Sequence, residues 1–224
     1  MKYTENIDAA LAFVKEEFDR SSYFQTHIPE KEYRFNHSIR VANLGLRIAA
    51  GEGFDPEAMV LGCLLHDISY RDPFISEQDL LDHGRNSARI AREFLAGRLS
   101  SDKINEICLG IAIHVDGKAD FPGNITPFAN SIGDADNLDR LGAYRTFETL
   151  EYVDFREKKL EEQKQWLLDA IDDLRDWEAE GFSTPTANRI MNDLIAKRID
   201  FYTQLTKQLD NSSHLIFPPL LTNH

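Results

Sequence analysis

Three residue pairs punctuate this chain: Asp55-Pro56, Thr126-Pro127 and Thr184-Pro185. Each joins a side chain that accepts hydrogen bonds from a helix's first free N–H groups to a proline pre-set for the first helical position. Between them, apolar residues recur at three- and four-residue spacing, the period of a helix with one buried face. Ile7, Leu11, Val14 and Phe18 mark a first helix over residues 5–20, and Phe35, Ile39, Leu46 and Ile48 a second over 30–51. A third starts at Pro56, carries Met59, Val60, Cys63 and Leu64, and runs into His66 and Asp67. A loop over 70–81 holds Pro73; a fourth helix is predicted from Asp82 to about Arg98, and a fifth, capped by Ser101, carries Ile104, Ile107, Ile111 and His114. Gly117, Pro122 and Gly123 make 115–125 a second loop. A sixth helix runs from Pro127 through Asp136 to about Tyr144, and a last one from Pro185 to about Leu209. The tail from Asn211, with Pro218 and Pro219, reads as irregular. No repeat, low-complexity tract or β-hairpin signal interrupts this pattern, so the chain is read as all-α.

Composition sets the surroundings of that scaffold. The 224 residues are 42% apolar and 28% charged, which suits a folded chain with a substantial core. A net charge of -13 disfavours nucleic acid and anionic membrane as partners, because the surface repels both. It leaves room for a small phosphorylated substrate, since a metal ion and a few arginines reverse the field locally. Cys63 and Cys108 both sit in apolar stretches and read as buried free thiols, which fits a reducing compartment. Met1 to Ala10 carries Glu5 and Asp8 and lacks a signal-type apolar segment. No run of 18 apolar residues is present. A cytoplasmic location is the expectation. The charge-rich stretch from Thr146 to Glu180 carries an apolar stripe of Phe147, Leu150, Leu160, Trp166, Leu167, Ile171 and Leu174.

Chemistry concentrates at a few polar residues on apolar borders. His66-Asp67 ends the run Val60 to Leu65, and His114 ends Ile111 to Ile113. His37 lies in the second helix, His83 in the fourth, and Asp134, Asp136 and Asp139 in the sixth. A lone helical histidine is most often structural. A carboxylate buried behind an apolar run, however, must be hydrogen-bonded, paired or bound to a cation. Several helices offering imidazole and carboxylate supply what a metal site between packed helices needs. That donor set, without thiolate, suits manganese, iron, zinc or cobalt, with magnesium at an oxygen-rich site.

The stretches RFNHSIRVANLGLRIA (34–49), LGCLLHDISY (61–70), DHGRNSARIAREFL (82–95), IAIHVDG (111–117) and GDADNLDRLGAYR (133–145) resemble the HD superfamily of metal-dependent phosphohydrolases. STPTANRIMNDLIAKRIDFYTQL (183–205) is similar to the closing helix of a small bacterial branch. The resemblance implies an HD-domain helical bundle over 1–145 with a metal site between helices. Residues 146–224 would form a long C-terminal helical pair packed on it as one compact domain. It implies His37, His66, Asp67 and Asp136 as metal ligands. Asp136 is preferred to Asp134 because Ala135-Asp136 followed by Leu138 matches the family pattern; Asp134 and Asp139 are left as supporting or solvated groups. His83 and His114 match the extra histidines of two-metal relatives, in which Asp67 bridges both ions. In single-metal relatives they face the phosphate, and one tightly held ion with a second site available is the favoured reading. His83, His114 and Arg40 are the candidate catalytic residues.

The function implied is hydrolysis of a phosphoester, nucleotide-like or another small phosphorylated substrate, by a metal-activated water. Two alternatives stand beside it: a non-catalytic metal- or nucleotide-binding sensor module, and a di-iron oxygenase on the same fold. Oligomeric state and substrate identity are not legible.

Overall fold

Capping chemistry sets where these helices begin. In the computed structural model, which describes residues 4–212 and Leu215, helix α1 (Glu5–Arg20) starts where the Thr4 hydroxyl accepts the Ile7 N–H. Helix α2 (Ile28–Glu52) has Pro29 in its first turn and ends at Gly53, whose φ of 74° is left-handed. Asp55 accepts from the N–H groups of Glu57 and Ala58 to open α3 (Pro56–Leu65). Then come a short 3-10 turn (Ile68–Arg71), α4 (Glu77–Leu95), α5 (Ser101–Ile113) and α6 (Pro127–Leu141). Helices α7 (Ala143–Tyr152), α8 (Leu160–Glu180) and α9 (Pro185–Asn211) follow. No strand occurs among the described residues, and the fold is all-α.

Three local expectations change. Helix α4 begins at Glu77 rather than after Asp82. Ser76 accepts the Asp79 N–H at 3.1 Å and the Asp79 carboxylate accepts the Ser76 N–H at 2.9 Å, a reciprocal cap that satisfies two otherwise orphaned donors. Helix α6 stops at Leu141 because Gly142 is extended, and α7 starts there. The stripe read for α2 is not its buried face. Phe35, Ile39 and Leu46 are only half-buried, while His37, Ser38, Val41, Ala42, Gly45, Ile48 and Ala49 are buried. Pro218 and Pro219, with the irregular tail expected there, lie outside the described residues.

The chain divides into two units, Met1–Arg140 with Phe182–Ile190, and Leu141–Gly181 with Met191–His224. In the first, α3 is buried from Ala58 to Leu65 and packs against α1, α2 and α5. A helix buried on all sides is the centre of its bundle. Helices α4 and α5 pair closely. Asp134 in α6 accepts the Ser183 N–H at 3.0 Å, and Glu52 at the end of α2 accepts the Thr186 N–H at 2.7 Å. Those bonds tie the start of α9 to both helices. In the second unit Leu167, Ile171 and Leu174 of α8 are buried, as the stripe requires, whereas Phe147 is exposed. The Trp166 ring meets Tyr202 of α9 edge-on at 5.7 Å. A hollow of about 400 Å³ opens between Phe147 and Leu150 of α7 and Leu194 and Phe201 of α9. No helix among the described residues is long and apolar enough to cross a membrane. Cys63 and Cys108 are free and buried.

Candidate metal centre

Five helical segments bring their polar residues to one place. His66 follows the last turn of α3 and Asp67 comes next. His37 projects from α2, His83 from α4, His114 from the end of α5, and Asp136 from α6. The donor atoms fall into two overlapping sets. One atom each of His37, His66 and Asp136 lie within 4.8 Å of one another, and so do atoms of His66, Asp67 and His114.

Asp67 joins them. Its Oδ2 is 3.7 Å from His37 Nε2 and 3.6 Å from His66 Nε2. Its Oδ1 is 3.3 Å from His83 Nε2 and 3.6 Å from His114 Nε2. Asp136 Oδ1 approaches His37 Nε2 at 3.1 Å and His66 Nε2 at 3.7 Å. His83 Nε2 and His114 Nε2 are 3.1 Å apart.

The backbone sets the tautomers. His66 Nδ1 donates to Cys63 O at 2.8 Å, His83 Nδ1 to Leu80 O at 2.5 Å, and His114 Nδ1 to Ile111 O at 2.7 Å. A carbonyl only accepts, so Nδ1 carries a proton, and in the neutral imidazole Nε2 then presents its lone pair to the cluster. In each case the acceptor is three residues earlier on the same turn. His37 differs: its Nδ1 donates to Asp139 Oδ2 at 2.8 Å, an acid behind the imidazole that orients it. Asp139 is held in turn by Arg40, through Nε at 2.8 Å and Nη2 at 3.0 Å.

These arrangements govern charge. Burial disfavours a charged His37, but hydrogen bonds to Asp136 and Asp139 and the nearby Asp67 outweigh it, raising its pKa from 6.5 to about 9. Burial likewise opposes ionised Asp67; His66, His114, His83 and Arg34 overcome that and hold it well below the carboxylate range. Burial opposes ionised Asp136 too, and His37 and His66 lower its pKa.

The donors fit a cation. His66 Nε2 is buried without a hydrogen-bond partner, and a buried orphan polar atom is costly. Its lone pair faces carboxylate oxygens, and two further imidazole lone pairs face each other and Asp67. Such convergence of acceptors is repulsive unless positive charge lies among them. Imidazole and carboxylate without thiolate suit a divalent ion. Cys63 is buried outside both donor sets, and burial pushes its thiol up.

Arg40 is spent on Asp139 rather than on the ligand carboxylates, and Asp139 supports His37. Asp134 faces the start of α9 instead, and burial raises its pKa despite the bonds from Ser183. The structure adds Arg34, one helical turn before His37. Its Nη1 is 3.2 Å from Asp67 Oδ2, and its guanidinium stacks 3.4 Å over the Tyr70 ring. Its Nε is buried without a hydrogen-bond partner. Tyr70 and Phe74 lie 5.2 and 6.0 Å from the His83 ring. The signal for Arg34 was its three-residue spacing from His37, the same that relates Asp139 to Asp136; Tyr70, in the 3-10 turn, and Phe74 carried no spacing signal of their own within the stretch read as the 70–81 loop.

An all-helical bundle whose histidines and aspartates converge on a cluster that could hold a metal ion is the class that fold and site define. The HD domain family model matches residues 34–141, a span containing every residue of the cluster. Residues 34–141 are an HD domain. A crystal structure described as a "predicted HD superfamily hydrolase" from an uncultured Thermotogales bacterium shares the fold: TM-score 0.61, 20% identity, covering 89% of this chain and 90% of that one. No curated protein matches the sequence.

Proposed function

We propose that this protein is a metal-dependent hydrolase of phosphoesters, acting on a nucleotide-like or other small phosphorylated substrate. One observation carries the reading: the two oxygens of Asp67 face different donor sets, with His37 and His66 on Oδ2 and His83 and His114 on Oδ1. One carboxylate reaching both groups would let two adjacent cations be held together, the arrangement that a two-metal phosphoryl transfer would need. His37, His66, Asp67 and Asp136 would hold the first ion; His83 and His114, with Asp67, would hold the second or face the phosphate. The likeness to the Thermotogales structure described as a hydrolase is consistent with this choice.

A divalent ion supplies Lewis acidity when bound, acidifying water and offsetting phosphoryl charge. The chain's own groups do the rest. The i−3 carbonyls keep three imidazoles in the tautomer that presents Nε2, so no reorganisation is needed on binding. Arg34, fixed in plane by Tyr70, offers its remaining donors to a phosphoryl oxygen at the cluster's edge. Tyr70 and Phe74 supply an aromatic wall for the body of the substrate.

The test is turnover of an aryl phosphate and a panel of nucleoside phosphates. Activity should be lost on chelation and restored by manganese or cobalt. Asp67→Ala should lose both bound metal and activity while keeping its helical circular dichroism. An active, metal-free Asp67→Ala protein would overturn the proposal.

A further inference from the structure

His114 sits between two glycines from the helices on either side of it. A Cβ built on Gly84 of α4 would lie 2.9 Å from Ala112 O, 3.0 Å from Ile111 O and 3.1 Å from His114 Nδ1. A Cβ on Gly133 of α6 would lie 3.3 Å from His114 Cα, 3.4 Å from its Cβ and 3.5 Å from its O. Carbon meets a carbonyl oxygen comfortably at about 3.3–3.6 Å, so the Gly84 position admits no side chain. Two of the three atoms it would crowd, Ile111 O and His114 Nδ1, are the acceptor and donor of the 2.7 Å bond that fixes the His114 tautomer.

From this we propose that Gly84 and Gly133 are positioning residues for His114. They let α4 and α6 close on the end of α5, so that the Nδ1–H to Ile111 bond forms and Nε2 is delivered to Asp67 and His83. The absent side chain matters more at Gly84, where a methyl group would meet backbone that cannot yield. At Gly133 the nearest atoms, His114 Cα, Cβ and O, are 3.3, 3.4 and 3.5 Å away, so only the first contact is tight and a shift of a few tenths of an ångström relieves it. His66 has no such seat. Its own Nδ1 bond, to Cys63 O, lies outside the atoms either glycine would touch. The effect of either glycine therefore falls first on the His83–His114 side of Asp67.

Two measurements on Gly84→Ala test this. Histidine nitrogen NMR of the chelated protein reads the tautomers directly. His114 is expected to lose its Nδ1–H signature, while His66 keeps it. Manganese titration should then show the weaker of two binding events weakened ~10- to 100-fold, with the tighter one unchanged. Should Gly84→Ala not fold, Gly133→Ala is read the same way, with a smaller effect on His114. An unaltered His114 tautomer in a folded variant overturns the proposal, as does equal loss at both binding events. The titration arm rests on the cluster being a metal site; the tautomer arm does not, so failure of one is distinguishable from failure of the other.

Discussion

Chelated protein should become less stable as pH rises through the range in which His37 titrates. The imidazole sits between Asp136 and Asp139 with Asp67 nearby, and its side chain is 5% exposed. Its pKa rises from 6.5 to about 9 on folding, so the folded state binds the proton more tightly than the unfolded state does. That contribution is fully present below 6.5, declines between 6.5 and about 9, and is lost above. At about 1.4 kcal/mol per pH unit, the gap corresponds to ~3 kcal/mol. Urea unfolding of the chelated protein at about pH 6, 7.5 and 9 measures it, and His37→Gln should flatten the profile. Metal-binding imidazoles must be deprotonated, so saturating metal should reverse the slope. Stability of the chelated wild type that stays level or climbs across that interval would refute this view of the acids around His37.

Asp139→Ala should weaken the tighter metal ~10- to 100-fold by titration calorimetry, with helicity intact, because His37 loses the acid that orients it. Arg34→Ala should raise KM for an aryl phosphate ~10-fold or more while metal content holds, because a charge-assisted contact of roughly 1.5–3 kcal/mol is lost. Ser76→Ala should cost about 1 kcal/mol in urea unfolding, through loss of the cap on α4.

The acceptor–proline pairs were legible because a cap is local chemistry: Asp55, Thr126 and Thr184 mark real helix starts. The cap at Ser76 was legible in principle, as a serine three residues before an acid, but Pro73 nearby and the missing apolar period made the stretch look like loop. The buried face of α2 was hidden for a different reason. Its inward positions include His37, Ser38 and Gly45, since the face that meets the cluster carries an imidazole and close packing rather than apolar bulk. Hydrophobic periodicity cannot report such a face. The order of histidines and aspartates pointed to the residues that stand together only through its resemblance to the HD pattern. It did not show that Asp67 divides its oxygens between two sets, that Arg40 is taken up by Asp139, or that Gly84 and Gly133 flank His114. Those depend on how helices cross.

The most direct measurement is anomalous diffraction from crystals soaked with manganese. A peak is expected within bonding distance of His37, His66, Asp67 and Asp136, with any second peak on the far oxygen of Asp67, beside His83 and His114. Manganese bound only elsewhere, with those side chains still paired to one another, would contradict the assignment of this cluster as a metal centre.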